Sequence, residues 1–210
     1  MAYNFKKDKF EHLKKINEND KSKKGSIDLP ILELINQINQ NENLFTTSSC
    51  SGRLKITAKN TDFLKKDCIW LYINHDLTKK KELLDLFYNK ESKNYYKNLD
   101  YDKIEFFQES AIIHIATNDI IVGNKLVRIA RDSGFKHSGI LSYKENHRII
   151  IELLNDMKIE TIIGKKINEN NKYFVSKKYF NILIEESNKN MKINFERIKK
   201  LERNFKINLS

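Results

Sequence analysis

Apolar residues return at three- and four-residue intervals in several stretches of this chain, and that spacing predicts amphipathic helices. Phe5, Phe10, Leu13 and Ile16 mark the first, inside a basic segment over residues 4–24 that runs into a polar loop. Ile31, Leu34, Ile35 and Ile38 mark the second, with Pro30 at its start and Asp28 at the N-cap position. Residues 78–88 suit a third helix, and residues 119–131, with Ile120, Val122, Leu126, Val127 and Ile129, a fourth. From about Ser176 to Lys206 a long helix is expected, with Ile184, Met191, Phe195, Ile198, Leu201 and Phe205 along its apolar edge.

Between the helices the pattern shortens to that of strands. Leu54–Ala58 alternates, and Cys68–Ile73 reads as a second, more buried strand that ends at Asn74 and His75. Ile104–Gln108, Ala111–Ala116, Arg148–Leu153 and Ile159–Ile163 follow, while the tyrosine-rich Lys93–Asp102 reads as a loop. Thr46-Thr47-Ser48-Ser49-Cys50-Ser51-Gly52-Arg53 falls between the second helix and the first strand, where a turn is expected. Small hydroxyls beside unpaired backbone N–H groups suit a polar or anionic ligand; they equally suit a turn that caps itself. The arrangement repeats further on. The helix over 119–131 runs into Asp132-Ser133-Gly134-Phe135-Lys136-His137-Ser138-Gly139-Ile140 and a short strand, so two halves of similar plan each contribute a Ser-Gly turn.

Charge narrows the partners. The formal net charge is +11 over 210 residues, with eight lysines against four acids in residues 4–24 and seven Lys/Arg against two Glu in residues 189–206. Such a field favours polyanions, nucleic acid first, although a Lys-rich composition also serves a merely solvated surface. Lys23 and Lys24, in the loop ahead of Gly25, are candidate phosphate contacts on the same ground. Two cysteines without ligand spacing, and no apolar run near the roughly 20 residues that span a bilayer, predict a soluble, metal-free, cytoplasmic protein of one domain. Six glycines and no GxGxxG make a dinucleotide-type cradle an unsuitable description.

Five separated motifs carry a resemblance: Asp20 to Asp28, the octet Thr46–Arg53, Trp70 with His75 five residues on, the Ala111–Ile115 strand with His114, and Ala130–Ile140. In this order they resemble the tRNA wybutosine-synthesizing protein 3 family, from about Phe5 to Leu201. The resemblance implies an S-adenosylmethionine-dependent methyltransferase acting on N-4 of the 7-aminocarboxypropyl-demethylwyosine base beside the anticodon of phenylalanine tRNA. It implies an α+β fold, a single domain of mixed sheets from two intertwined duplicated halves, with residues 1–28 as a basic N-terminal segment and 176–207 as a C-terminal helix. The sequence departs from the family pattern at Ser110 and Ala111, at Glu152 and Leu153, where an arginine and a serine are expected, and at Thr161.

The chemistry assigns roles to particular side chains. Ser48, Ser49, Ser51, Gly52 and Arg53, with Ser133, Gly134, Phe135, Ser138 and Gly139 from the second turn, are the candidate cofactor contacts, Arg53 for its carboxylate and an aromatic face for its sulfonium. Trp70 is the candidate platform for the base. A proton leaves the methylated nitrogen, and His75 is the first candidate base, followed by Asp28, whose other reading is a helix cap, and Asp132. His114, inside an apolar strand, reads as structural. Two rivals stay open: a non-catalytic basic tRNA-binding module, and a transferase or hydrolase dependent on Cys50.

Overall fold

In the computed structural model the described residues are 3–18, 27–60, 68–91, 99–143, 147–168 and 171–209. They form a mixed α+β fold with two sheets, both antiparallel, and a long C-terminal helix. The chain gathers into two compact units and enters each more than once. Met1–Ser51, Ser110–Asp156 and Ile193–Ser210 make the first; Gly52–Glu109 and Met157–Lys192 make the second.

The first unit holds a four-stranded sheet in the order β1-β5-β7-β6, built from β1 (Leu44–Cys50), β5 (Ile112–Thr117), β6 (Gly139–Ser142) and β7 (Ile149–Leu154). Strand alternation sends Ile113, Ile115, Ile151 and Leu153 to one face. There they pack with Leu34, Ile35 and Ile38 of α2 (Leu32–Gln40), with Leu126, Ile129 and Ala130 of α4 (Ile120–Asp132), and with Ile198, Leu201 and Phe205. The last three lie on α5 (Lys177–Leu209), the long helix that the apolar spacing predicts. On the opposite face Phe45 and Ala116 meet Phe5 of α1 (Phe5–Glu18), which Asp8 ties down through Arg148 and the Tyr3 hydroxyl.

The second unit holds a five-stranded sheet in the order β3-β2-β4-β8-β9: β2 (Arg53–Lys59), β3 (Ile69–Asn74), β4 (Lys103–Glu109), β8 (Ile159–Asn168) and β9 (Asn171–Phe174). Leu54, Ile56, Ile104, Phe106 and Ile163 face Leu83 and Phe87 of α3 (Lys80–Tyr88) and Phe180 and Ile184 of α5. Fully burying side chains of this size contributes about 1.5–3 kcal/mol each.

Three expectations change. The octet is not a turn: Thr46–Cys50 lies in β1, where its peptide groups pair with β5, and only Ser51 and Gly52 fall between strands. Hydroxyl-rich sequence reads as turn, yet threonine is β-branched and suits a pleated surface. The apolar β3 is not the more buried strand; it is a sheet edge with Ile69, Trp70 and Ile73 exposed. Strand β8 runs on to Asn168 and pairs with β9, which the sequence pattern did not separate. The Ser-Gly echo has a backbone counterpart, because Gly52 and Gly134 take positive φ, 92° and 101°. Among the described residues no helix is long and apolar enough to cross a membrane.

Candidate functional site

Asp28 stands at the N-cap position, but its side chain makes no capping bond to the turn Leu29–Ile31 that follows it. Its carboxylate is turned to the end of the octet. Oδ2 accepts from the Ser51 peptide N–H at 2.9 Å and from the Ser51 hydroxyl at 3.1 Å, with both residues buried. The Ser51 carbonyl accepts from Asn194 Nδ2 at 2.7 Å. Asn194, fully buried on α5, also accepts through Oδ1 from the Ala111 N–H at 2.9 Å and from Asn155 Nδ2 at 3.1 Å. Ser51 is thus held at its nitrogen, its hydroxyl and its carbonyl, which fixes the backbone from which Gly52 and Arg53 continue.

Strand alternation separates the two serines before it. Ser48 pairs with His114 and Ser49 with Ile113, so Ser48 leaves the core face while Ser49 points toward it. Ser48 Oγ lies 2.9 Å from His114 Nδ1, and His114 Nε2 lies 2.9 Å from Glu152 Oε2. A polar ladder therefore crosses β1, β5 and β7. A carboxylate accepts and a hydroxyl both donates and accepts, so the ladder can be satisfied from end to end. The sequence reading of His114 as a structural residue gave no sign of this ladder. Its partners are 66 and 38 residues away, and only strand register brings them beside it.

The second turn is built differently from its sequence reading. Phe135 is fully buried in the core cluster, so its ring face is packed against protein rather than offered to a cation. The Ser133 hydroxyl donates to Ile129 O at 2.7 Å and accepts from Asn204, and the Ser138 hydroxyl donates to Phe135 O at 2.7 Å and accepts from the Leu154 N–H. Gly134 closes α4, with the Phe135 N–H bonded back to Ala130 O at 2.9 Å, and Arg197 lies where a side chain at Gly134 would go. These groups hold the turn together. Gly139 alone among them faces open space: apart from its chain neighbours, a Cβ there would meet none of the described residues within 4 Å.

In the second unit Arg53 opens β2. Its Nε donates to Glu109 Oε2 at 2.6 Å, and its guanidinium carbon lies 5.5 Å from the centroid of the Trp70 ring. Trp70 is 39% exposed. Burial alone would raise the Glu109 carboxyl, but hydrogen bonds from Lys55 and Arg53 overcome it and hold the group below its ordinary range. A guanidinium bonded once through Nε has four further N–H donors. His75 follows β3 in a bend shaped by Asn74, whose Oδ1 accepts from the Asp76 N–H at 3.1 Å. Beyond it Asn188 of α5 clasps Thr78, accepting from its N–H and donating to its carbonyl, each at 2.8 Å. Lys23 and Lys24 lie outside the described residues.

This fold recurs in a solved structure of a Pyrococcus horikoshii protein, with a TM-score of 0.79 and 30% identity, covering 99% of this chain and 97% of that one. The family described as Methyltransferase TYW3 matches residues 6–207. The chain belongs to that family, and membership implies a methyl donor. A Pyrococcus horikoshii relative, the tRNA(Phe) 7-((3-amino-3-carboxypropyl)-4-demethylwyosine(37)-N(4))-methyltransferase 1, is 31% identical over 180 residues, covering 86% of this chain and 85% of that protein. The tRNA wybutosine-synthesizing protein 2/3/4 of Arabidopsis thaliana is 34% identical over 186 residues, which cover 85% of this chain and 18% of that longer protein.

Proposed function

We propose that this chain transfers a methyl group from S-adenosylmethionine to N-4 of the 7-aminocarboxypropyl-demethylwyosine base in phenylalanine tRNA. The observation that carries the reading is the match of residues 6–207 to a methyltransferase family, supported by relatives named for this activity. The whole chain is read as one functional domain working in the cytoplasm.

Part of the donor set suits the cofactor: Arg53 has guanidinium N–H groups beyond the one bonded to Glu109 for its carboxylate, whereas the Ser51 hydroxyl is committed to Asp28, Ser48 bonds His114 and Ser49 is turned to the core face of the sheet. When bound, the cofactor supplies an electrophilic methyl group on a sulfonium centre. Positioning is the protein's main contribution to such a transfer. Asp28 acts through Ser51: its carboxylate fixes the peptide that precedes Gly52 and Arg53. Trp70 stacks the tricyclic base, and His75 accepts the proton released from N-4.

Calorimetric titration with S-adenosylmethionine, with and without precursor-bearing phenylalanine tRNA, tests the reading. Saturable binding weakened by Arg53→Ala, with label transferred to tRNA, is the expected result. Tight tRNA binding without cofactor affinity would leave a non-catalytic tRNA-binding module.

A further inference from the structure

Strand alternation sends Leu54, Ile56, Ile104 and Phe106 to the core of the second unit, so Arg53 and Lys55 of β2 share the opposite face of the sheet with Phe107 and Glu109 of β4. Arg53 stands directly across from Glu109, and Lys55 directly across from Phe107, which puts Lys55 on the diagonal to Glu109. One carboxylate then serves two cations. Glu109 Oε2 accepts from Arg53 Nε at 2.6 Å, and Glu109 Oε1 lies 2.5 Å from Lys55 Nζ. The Lys55 ammonium rests over the Phe107 ring, 4.6 Å from its centroid.

A guanidinium whose task is a salt bridge meets a carboxylate with two parallel N–H bonds, one to each oxygen. Here Lys55 occupies the second oxygen, and Arg53 is bonded only through Nε, at the side of its fork. Its two Nη groups, with four coplanar N–H donors, hydrogen-bond none of the described residues. Trp70 limits rotation of that plane, with the guanidinium carbon 5.5 Å from its ring centroid. The Arg53 side chain keeps 27% of its surface exposed, so the fork is held and still reachable. Charge follows the same plan. Glu109 by itself would cancel Arg53 and repel an anion, whereas with Lys55 the three side chains sum to one positive charge. Burial opposes ionisation of Glu109, but the bonds from Lys55 and Arg53 prevail and hold its carboxyl below the ordinary range, so that sum applies at neutral pH.

We propose that Glu109 and Lys55 are positioning residues for the cofactor carboxylate. Glu109 holds Arg53 by Nε and leaves its Nη pair as a fork for the carboxylate. Lys55 keeps Glu109 from closing on that fork and from cancelling its charge. This rests on the methyltransferase reading with Arg53 as the carboxylate contact.

The test compares S-adenosylmethionine with 5′-methylthioadenosine, which lacks the carboxylate, by calorimetric titration. Charge alone predicts that removing Glu109, itself negative, strengthens binding of a carboxylate; positioning predicts the reverse. Glu109→Ala should weaken S-adenosylmethionine about tenfold or more and leave 5′-methylthioadenosine unchanged. Glu109→Gln, which still accepts from Arg53 Nε, should recover part of the loss. Lys55→Met, which keeps a stem over Phe107, should lose affinity as Glu109→Ala does. Lys59→Met removes a charge from the same face of β2 at its other end, where Lys59 meets Glu105, and should bind both nucleosides as the wild type does. In turnover, Glu109→Ala should raise the KM for cofactor and keep kcat at saturation within about twofold. S-adenosylmethionine bound by Glu109→Ala as tightly as by the wild type, or equal loss of both nucleosides, would overturn the positioning role and leave the methyltransferase reading standing. Wild-type binding of S-adenosylmethionine that Arg53→Ala does not weaken would overturn the carboxylate contact and the positioning role together. Wild-type protein that binds neither nucleoside would overturn the methyltransferase reading as well.

Discussion

Asn194 donates from Nδ2 to the carbonyl oxygen of Ser51 at 2.7 Å, across 143 residues of chain. The same amide satisfies the Ala111 N–H and the Asn155 side chain, so one residue of α5 holds three segments at or beside the points where the chain leaves or enters the first unit. Asn194→Ala strands a buried N–H, a buried C=O and a side-chain amide together. Each buried orphan costs about 1–3 kcal/mol, so a loss of roughly 2–4 kcal/mol in urea unfolding is expected once relaxation and water entry offset part of the sum. Asn194→Asp keeps the acceptor but sets a carboxylate against the Ser51 carbonyl, and should be no milder. A loss under about 0.5 kcal/mol for the alanine variant, the range of an ordinary surface substitution, would contradict this role.

Asp28 is a candidate base by sequence, and its buried bonds to Ser51 support a positioning role beside that one. Both Ser51 donors converge on its Oδ2 inside a buried site. Asp28→Ala should therefore loosen the peptide ahead of Arg53 and raise the KM for cofactor about tenfold or more, with a smaller change in kcat. Asp28→Asn, which keeps an acceptor for the Ser51 N–H, should recover part of the affinity. A fall in kcat with KM unmoved would instead return Asp28 to proton transfer.

These two residues show what the sequence could and could not carry. Helices α2, α4 and α5 were legible because their apolar positions recur every three or four residues, a property of the local chain. The octet was misread because its hydroxyls suggest a turn, whereas its conformation is set by pairing with β5, far along the chain. Trp70 sits exposed because β3 is an edge, and edge position depends on sheet order rather than on the residues of the strand. Arg53 with Glu109 and His114 with Glu152 are cross-strand neighbours, and no local pattern announces them. Phe135 was assigned to the site by its motif, but its bulk and apolarity place it in the core.

His12 of α1 supplies a pH test. Burial pushes its imidazole below the ordinary value, and Arg148 and Lys15 push the same way, against a hydrogen bond from the ring to the Thr47 backbone and the charge of Asp8. The unfolded chain then binds a proton more readily than the folded one, so stability rises with pH through this group. Its contribution is fully present above about pH 6.5, the unfolded value, and is lost as pH falls through the lower folded value. Chemical unfolding at several pH values between about 7.5 and 5 should show a steeper loss for the wild type than for His12→Gln. Parallel curves would mean that His12 titrates alike in both states.

Trp70 is the only tryptophan in the chain, so tryptophan emission, excited selectively, reports on it alone. Its ring is partly exposed and lies under the Arg53 guanidinium. A tricyclic base stacked on that ring should quench the emission saturably as precursor-bearing phenylalanine tRNA is added, and tRNA without the modified base should quench less. Base–aromatic stacking is worth about 1–3 kcal/mol, so Trp70→Ala should weaken binding of the modified tRNA by roughly 5- to 150-fold. Trp70→Phe, which keeps a smaller ring, should fall between. The unmodified tRNA, held mainly through its phosphates, should lose far less affinity in both variants and should be released by salt. Equal losses for the two tRNAs would place Trp70 away from the base and confine its role to packing against Arg53.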